Sequence, residues 1–151
     1  MSKQSNSSQT IEPPLLKCNL NPLAFHISAR HYYKCRQDFK CPDKFSAVPY
    51  FLLCRSIELS IKARHLKRDG QKKVKEDYWH NLKTAYNALN ANEKILTKSE
   101  FVVLTTANGI YNDKGFEYFT PNDAMTGYSG YPDLKVLDGI AEKFLKDFKE
   151  S

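Results

Sequence analysis

Four side chains that can carry charge or move a proton are spaced so that a helical chain would bring them together. Arg55, Glu58 and Lys62 follow one another at intervals of three and four residues within the largely apolar run 50–64. Residues at these intervals share one face of an α-helix. His80 follows a basic segment, and imidazole suits proton transfer near neutral pH. The pattern predicts a polar centre in which the first three bind a ligand and His80 is the candidate catalytic group.

The same charges also have a structural interpretation. Glu58 and Lys62 stand in the favoured order for an i, i+4 ion pair, and Arg55 lies one turn before Glu58. Charged groups that lose water need partners, so a partly buried pair of this kind would fix the helix against a neighbour. His80 would then be a helix-start residue beside Trp79. The sequence alone leaves both interpretations open.

A second charged feature is the basic segment 62–75, in which Asp69 is the one acidic residue. One interpretation is a surface that faces a polyanion, and the other is a solvated helix end whose cations interact favourably with the helix dipole. The net charge of +6 and the isoelectric point near 9.1 permit contact with nucleic acid without requiring it. The candidate polyanion patch consists of Arg64, Lys67, Arg68, Lys72, Lys73 and Lys75.

Familiar templates for metal or nucleotide chemistry are missing from the sequence. The glycines form no phosphate-binding loop, and no Gly-x-Ser-x-Gly or His-Glu-x-x-His frame occurs. The cysteines form no Cys-x-x-Cys pair, whereas structural zinc sites usually have four ligands. We therefore expect reduced thiols at Cys18, Cys35, Cys41 and Cys54, no metal and no cofactor.

Length and composition predict one domain preceded by a polar tail. A chain of 151 residues that is 41% hydrophobic can bury one substantial core. Residues 1–17 are predicted to be disordered and residues 18–151 to form a single helical domain. The first residues lack the apolar segment of a secretory signal, and apolar runs are far shorter than the roughly 20 residues that span a bilayer. We expect a cytoplasmic protein without membrane association.

Apolar periodicity predicts an all-α fold, a compact bundle of about five helices. The predicted helices cover residues 21–38, residues 47–67, a segment from Asp77 to about residue 90, a segment capped by Thr97, and a segment opening at Pro132. The second has two apolar stripes with the charged strip between them, which is typical of a central helix. The third carries Trp79, Leu82, Tyr86 and Leu89 on one face. Residues 114–130 are predicted to form a long connection of a kind that is often functional.

This arrangement resembles the HEPN superfamily of small helical bundles. It is similar to the branch whose central helix carries Glu and Lys one turn apart and whose third helix opens with His-Asp-Leu or His-Asn-Leu. The resemblance spans roughly residues 21–148. The motifs that carry it are Arg55-x-x-Glu58-x-x-x-Lys62-Ala63, His80-Asn81-Leu82, Ile110-Tyr111-Asn112 and Tyr131-Pro132-Asp133-Leu134.

The resemblance implies a bundle that usually dimerises and is often encoded in toxin–antitoxin, abortive-infection or other defence systems. The best known activity of the superfamily is metal-independent RNA cleavage by an Arg-x4–6-His motif. No arginine of this chain has a histidine at that spacing. The nearest imitation runs from Lys75 to His80, and lysine lacks the bidentate phosphate fork of arginine.

The resemblance therefore predicts a HEPN-like module without ribonuclease activity. It would bind RNA, a nucleotide or a protein partner, such as an antitoxin or a nucleotidyltransferase, in a prokaryotic defence or toxin–antitoxin-type system, and it would form a homodimer. Two alternatives stay open. One is a divergent metal-independent endoribonuclease that uses His80, and the other is a purely structural homodimerising adaptor. Whether the chain is an enzyme is left undecided at this stage.

Overall fold

The computed structural model describes residues 19–118 and 120–150. Over these residues the chain is an all-α bundle of seven α-helices and one 3₁₀ turn, so the predicted fold class is confirmed. The predicted disordered tail, residues 1–17, lies outside the described residues together with Cys18. The elements are α1 (Asn21–Asp38), α2 (Val48–His65), α3 (Gln71–Tyr78), α4 (Leu82–Asn87), the 3₁₀ turn (Ala91–Glu93), α5 (Lys98–Asn112), α6 (Pro121–Met125) and α7 (Leu134–Asp147).

Helix α2 is the centre of the bundle, as its two apolar stripes predict. It packs against α1, α4, α5 and α7, and every residue from Ser56 to Leu66 is buried. Val48, at the start of the helix, is 45% exposed and lies outside this core. The buried part of α2 contains charged residues, which find partners both on α2 itself and on the surrounding helices. The apolar members of the core on α2 include Leu53, Cys54, Ile57 and Ile61.

Helix α1 begins close to its predicted boundary and is fastened to α2. Pro22 stands in its first turn, where a missing N–H costs nothing, but the cap position is Leu20 and Asn21 is already helical. The hydroxyl of Ser56 donates to the carbonyl oxygen of Ala29 at 2.8 Å. This buried hydrogen bond fixes α1 against α2.

The prediction of one continuous third helix is wrong, because the chain forms two short helices, α3 and α4, in this region. Trp79 has φ 44° and ψ −120°, which ends α3. Asn81, rather than Asp77, then caps the next helix, with its side-chain oxygen accepting from the Thr84 N–H at 2.9 Å. Trp79 is consequently 58% exposed, whereas the other predicted stripe residues, Leu82, Tyr86 and Leu89, are buried.

The last two predicted helices are present, with small corrections. Thr97 and Glu100 form the predicted capping box at the start of α5. Helix α7 is capped by Asp133, whose carboxylate accepts from the Val136 N–H at 3.1 Å, so it starts two residues after Pro132. The connection between them contains the extra short helix α6.

None of the helices in residues 19–118 and 120–150 combines the length and apolar composition needed to cross a membrane.

Candidate functional site

The carboxylate of Glu58 is the hub of a polar centre in the middle of the bundle. Its side chain is 2% exposed. Oε1 accepts from the Lys62 ammonium at 2.7 Å and lies 3.0 Å from Nδ1 of His80. Oε2 accepts from Nη1 of Arg55 at 3.1 Å and from the hydroxyl of Tyr111. The structure thus brings together all four residues that the sequence pattern placed in the polar centre, and it adds a fifth.

Tyr111 is the member of this centre that sequence reasoning did not assign to the site. The sequence marked it as an inward-facing position of α5 and as part of a family motif, because tyrosine at such a position is ordinarily a core residue. Burial, together with the charge of Glu58, raises the pKa of the Tyr111 hydroxyl. The hydroxyl therefore stays protonated and donates to Glu58.

The environment keeps Glu58 ionised although it is buried. Burial alone would raise its pKa, but the Lys62 ammonium, the Tyr111 hydroxyl and the Arg55 guanidinium together hold the pKa of Glu58 below its usual range. Glu58 in turn helps raise the pKa of Arg55, against the opposite effect of burial. At neutral pH the centre holds one carboxylate and two cations, which leaves one positive charge in excess before His80 is counted.

His80 reaches this centre because the turn between α3 and α4 is anchored to α2. The Lys62 ammonium donates to the backbone carbonyl of Trp79 as well as to Glu58. Trp79 adopts a positive φ that bulky L-residues rarely take, and such conformations persist only where surrounding contacts enforce them. The residue after this turn is His80, so the anchored backbone sets the position of the imidazole.

The imidazole of His80 is held on one side and open on the other. Nδ1 faces Glu58, and the ring edge meets the Tyr111 ring at a centroid distance of 6.0 Å. The side chain is nevertheless 50% exposed. A carboxylate beside one ring nitrogen favours the tautomer that carries its proton there, which leaves the other nitrogen free to accept. This arrangement can hydrogen-bond a ligand or accept a proton from it.

A cleft of about 490 Å³ opens beside the polar centre. One part of its wall is cationic and another part is apolar, a combination suited to a ligand with an anionic group and a flat apolar group. Most of the lining comes from α2 and α3. The cationic lining residues are Arg55, Lys62, Lys72 and Lys75, the apolar ones are Phe25, Leu59, Leu66 and Val74, and Glu58, Gln71 and His80 complete the wall.

Arg64 does not belong to the predicted polyanion patch, because it is buried in the core with 2% exposure. Its guanidinium donates to the carbonyl oxygens of Ser60 and Phe144, each at 2.8 Å. It also lies 3.5 Å from the carboxylate of Asp147 and over the Phe144 ring at 4.8 Å. These contacts tie α2 to α7 and leave the charge inaccessible to a polyanion.

The rest of the predicted patch is divided by the fold. Lys72 and Lys75 line the cleft, as described above. Three other members are engaged elsewhere: Lys67 with the carbonyl oxygen of Lys149 at 2.6 Å, Arg68 with Glu93 at 2.9 Å, and Lys73 with Asp77 at 2.8 Å. Of the predicted patch, Lys72 and Lys75 are therefore the members that share a cleft with the polar centre.

Comparison of the chain with protein-family models, with curated proteins and with solved structures gives no match. Within residues 19–118 and 120–150, no group of three or more His, Cys, Asp and Glu side chains is arranged to hold a metal ion.

Proposed function

We propose that this chain is a binding module for a nucleotide, whose phosphate lies against the cations of the cleft and whose base lies against its apolar wall. The observation that carries the proposal is the lining of the 490 Å³ cleft, which joins four cationic side chains to four apolar ones. Its volume falls within the range of ordinary small-molecule sites, about 300–1,000 Å³. Charge-assisted hydrogen bonds from Lys and Arg are the usual means of holding a phosphate.

The charge balance inside the polar centre favours an anionic ligand. Glu58 is satisfied by donors from Lys62, Arg55 and Tyr111, so it is already neutralised within the protein. Lys72 and Lys75 add positive charge at the same cleft, whose one acidic lining residue is the already paired Glu58. Lys72 also lies 4.0 Å from Glu76, an exposed acid outside the lining. A phosphate would therefore meet a net positive field rather than a repelling carboxylate.

Binding without RNA cleavage is the form of activity we propose. The Arg-x4–6-His motif that the family resemblance associates with cleavage is missing from the sequence. Lys75, the nearest cation before His80, lies 5.9 Å from the centroid of the Trp79 ring, where its ammonium is a point charge and not a bidentate fork. We assign His80 to hydrogen bonding of the ligand.

The wider setting of the proposal comes from the family resemblance. We propose that the chain is a HEPN-like homodimer that works in the cytoplasm of a prokaryote, in a defence or toxin–antitoxin-type system. The all-helical bundle and the contact of Glu58 with Lys62 support this assignment. Light scattering coupled to size-exclusion chromatography tests the dimer, and a monomer at micromolar concentration would contradict it.

Direct titration tests nucleotide binding. The chain has one tryptophan, Trp79, which is 58% exposed beside the cleft residues Lys75 and His80, so its fluorescence should change when AMP or UMP binds. Calorimetry on the same samples gives the affinity independently of this reporter. Because binding is led by phosphate, the dissociation constant should rise as salt is increased.

A matched pair of lysine variants on α3 locates the site. Lys75→Gln removes a charge from the cleft wall and should weaken AMP binding about tenfold, the effect of losing roughly 1.4 kcal/mol of charge-assisted bonding. Lys73→Gln removes the same charge from a residue that pairs with Asp77 outside the cleft, and should leave the affinity unchanged. Equal effects of the two variants, or no binding of either nucleotide, would refute the proposal.

A second candidate function, metal-independent RNA cleavage, is favoured by one observation. His80 has a carboxylate 3.0 Å from one ring nitrogen while half of its side chain is exposed, which is how a general base is oriented. Incubation of labelled RNA with the protein in EDTA decides between the two functions. We expect intact RNA; cleavage that is lost in His80→Ala would make the chain an endoribonuclease.

A further inference from the structure

A second cleft adjoins the polar centre. Its volume is about 340 Å³. Three aromatic side chains contribute to its wall, and two cations and one acid complete it together with His80. The aromatic residues are Tyr32, Phe51 and Tyr111, the cations are Arg55 and Lys114, and the acid is Glu117. Aromatic faces beside cations are the usual elements of a surface on which a nucleic-acid base stacks.

Arg55 and His80 stand in the walls of both clefts. Both side chains are partly open, with 31% of Arg55 and 50% of His80 exposed, so a ligand that extends from one cleft to the other would pass over them. Arg55 carries five N–H donors, more than its contact with Glu58 uses. The Arg55 guanidinium also lies over the Tyr32 ring, 5.8 Å from its centroid, which keeps it at the boundary of the two clefts.

Each of the two clefts combines an apolar surface with at least one lysine. The first has three aliphatic side chains, the Phe25 ring and the lysines of α3, and the second has three aromatic rings and Lys114. Both volumes lie within the range of small-molecule sites, about 300–1,000 Å³. The groups at the boundary, a guanidinium and an imidazole, are those that bind a phosphodiester.

We propose that the ligand is a dinucleotide unit, with one nucleoside in each cleft and the connecting phosphodiester at Arg55 and His80. This inference rests on the nucleotide-binding function proposed above and names its substrate class. The Phe51 ring supplies the stacking surface for the second base, and the Lys114 ammonium approaches its outer phosphate or sugar.

Calorimetric titration with ApA and UpU beside AMP and UMP tests the proposal. Stacking of one further base should make the dinucleotides bind about tenfold more tightly than the mononucleotides. Phe51→Leu keeps an apolar side chain on α2 but removes the ring, and should cancel this advantage while leaving AMP binding unchanged. Lys114→Gln should have the same selective effect to a smaller extent.

Phe39→Leu is the matched control, because Phe39 is half-buried at the end of α1 and lines neither cleft. Titration with a hexanucleotide of uridine shows whether the bound dinucleotide unit is part of an RNA strand or a free dinucleotide. If the hexamer binds as tightly as UpU and loses affinity in Phe51→Leu, the unit is a step in an RNA strand; if UpU binds and the hexamer does not, the unit is a free dinucleotide.

Two results would contradict the dinucleotide proposal without contradicting nucleotide binding. One is equal affinity for mononucleotides and dinucleotides, and the other is a dinucleotide advantage that survives in Phe51→Leu. Both leave nucleotide binding in place, provided that AMP binding still responds to Lys75→Gln. Absence of binding by every probe would instead remove the proposed function itself, so the two failures are distinguishable.

Discussion

Two of the buried charged groups on helix α2, Glu58 and Arg64, have the same exposure of 2% and very different surroundings. Two of the four side chains that contact the Glu58 carboxylate, His80 and Arg55, reach solvent, and the other two are buried. Arg64 is held by two backbone carbonyl oxygens and an aromatic ring in the core, and it lies 3.5 Å from the partly exposed carboxylate of Asp147. The open partners of Glu58 line the two clefts beside the polar centre, and those of Arg64 line neither of them.

Burial of a charge therefore does not by itself mark a site. Both groups are costly to desolvate, and both are compensated by partners. What separates them is whether a partner lines a cleft beside the polar centre. His80 lines both clefts with half of its side chain exposed, whereas Asp147, the carboxylate beside Arg64, lines neither. Arg64 donates inward, to Ser60 and Phe144, and a ligand could reach it only by displacing the end of α7.

The largest expected effect comes from Glu58→Ala. This variant leaves Arg55 and the buried Lys62 without their carboxylate, and breaking a buried ion pair in this way costs about 3–5 kcal/mol of unfolding free energy. Urea denaturation followed by circular dichroism measures the loss. Asp38→Ala is the control, because its pair with Lys34 has the same i, i+4 spacing but is 62% and 68% exposed, and should cost no more than about 0.5 kcal/mol. Similar losses in the two variants would contradict the description of a buried hub.

Arg64→Met should destabilise the fold without affecting the ligand. The methionine retains much of the packing against Phe144 but removes the donor to the Phe144 carbonyl oxygen at the end of α7, at a cost of about 2 kcal/mol. Arg55→Met is the counterpart on the open side, and should cost less stability while weakening AMP binding about tenfold. Denaturation of both variants measures the loss of stability, and calorimetric titration of both with AMP measures the change in affinity. Weaker nucleotide binding by Arg64→Met, at a temperature where this variant is folded, would contradict the distinction between the two positions.

The parts of this site that were predictable from sequence are those that depend on local spacing. The strip of Arg55, Glu58 and Lys62 follows from helical geometry, because residues three and four apart meet on one face. The role of Arg64 was not predictable, since its carbonyl partner on Phe144 is 80 residues away in the sequence. The break at Trp79 was also missed, because the contact of its carbonyl with Lys62 lies outside any local pattern.

Substitutions at Trp79 should reveal the backbone strain that positions His80. With φ at 44°, Trp79→Gly relieves a conformation that costs an L-residue roughly 1–2 kcal/mol, whereas Trp79→Ala retains it. After the greater entropy of glycine in the unfolded chain is counted, the glycine variant should be more stable than the alanine variant by about 0.5–1 kcal/mol. Thermal denaturation of the pair measures this. At Thr106, an exposed position inside α5, the order should be reversed by about 1 kcal/mol. The same order at both positions would show that Trp79 is not strained.

The weakest effect should be that of His65, another buried ionisable group of α2 that is enclosed like Arg64. Its side chain is 2% exposed, Nε2 donates to the Ala85 carbonyl oxygen at 2.8 Å, and the ring stacks on Tyr78. Burial lowers its pKa from the ordinary value of 6.5, an effect that the carbonyl contact only partly opposes.

The unfolded chain therefore binds a proton at His65 more readily than the folded chain does. Its contribution to stability is complete above pH 6.5 and is lost as the pH falls from there through the lowered pKa of the folded protein. His65→Gln keeps a donor for Ala85 and removes the titration, so urea denaturation at pH 7.5 and 5.5 should show a smaller loss than in the unmodified chain. His31→Gln, at an exposed position of α1, should leave that loss unchanged. If His65→Gln keeps the full pH dependence, His65 is reached by water and protons in the folded state, and it would then resemble His80 more than Arg64.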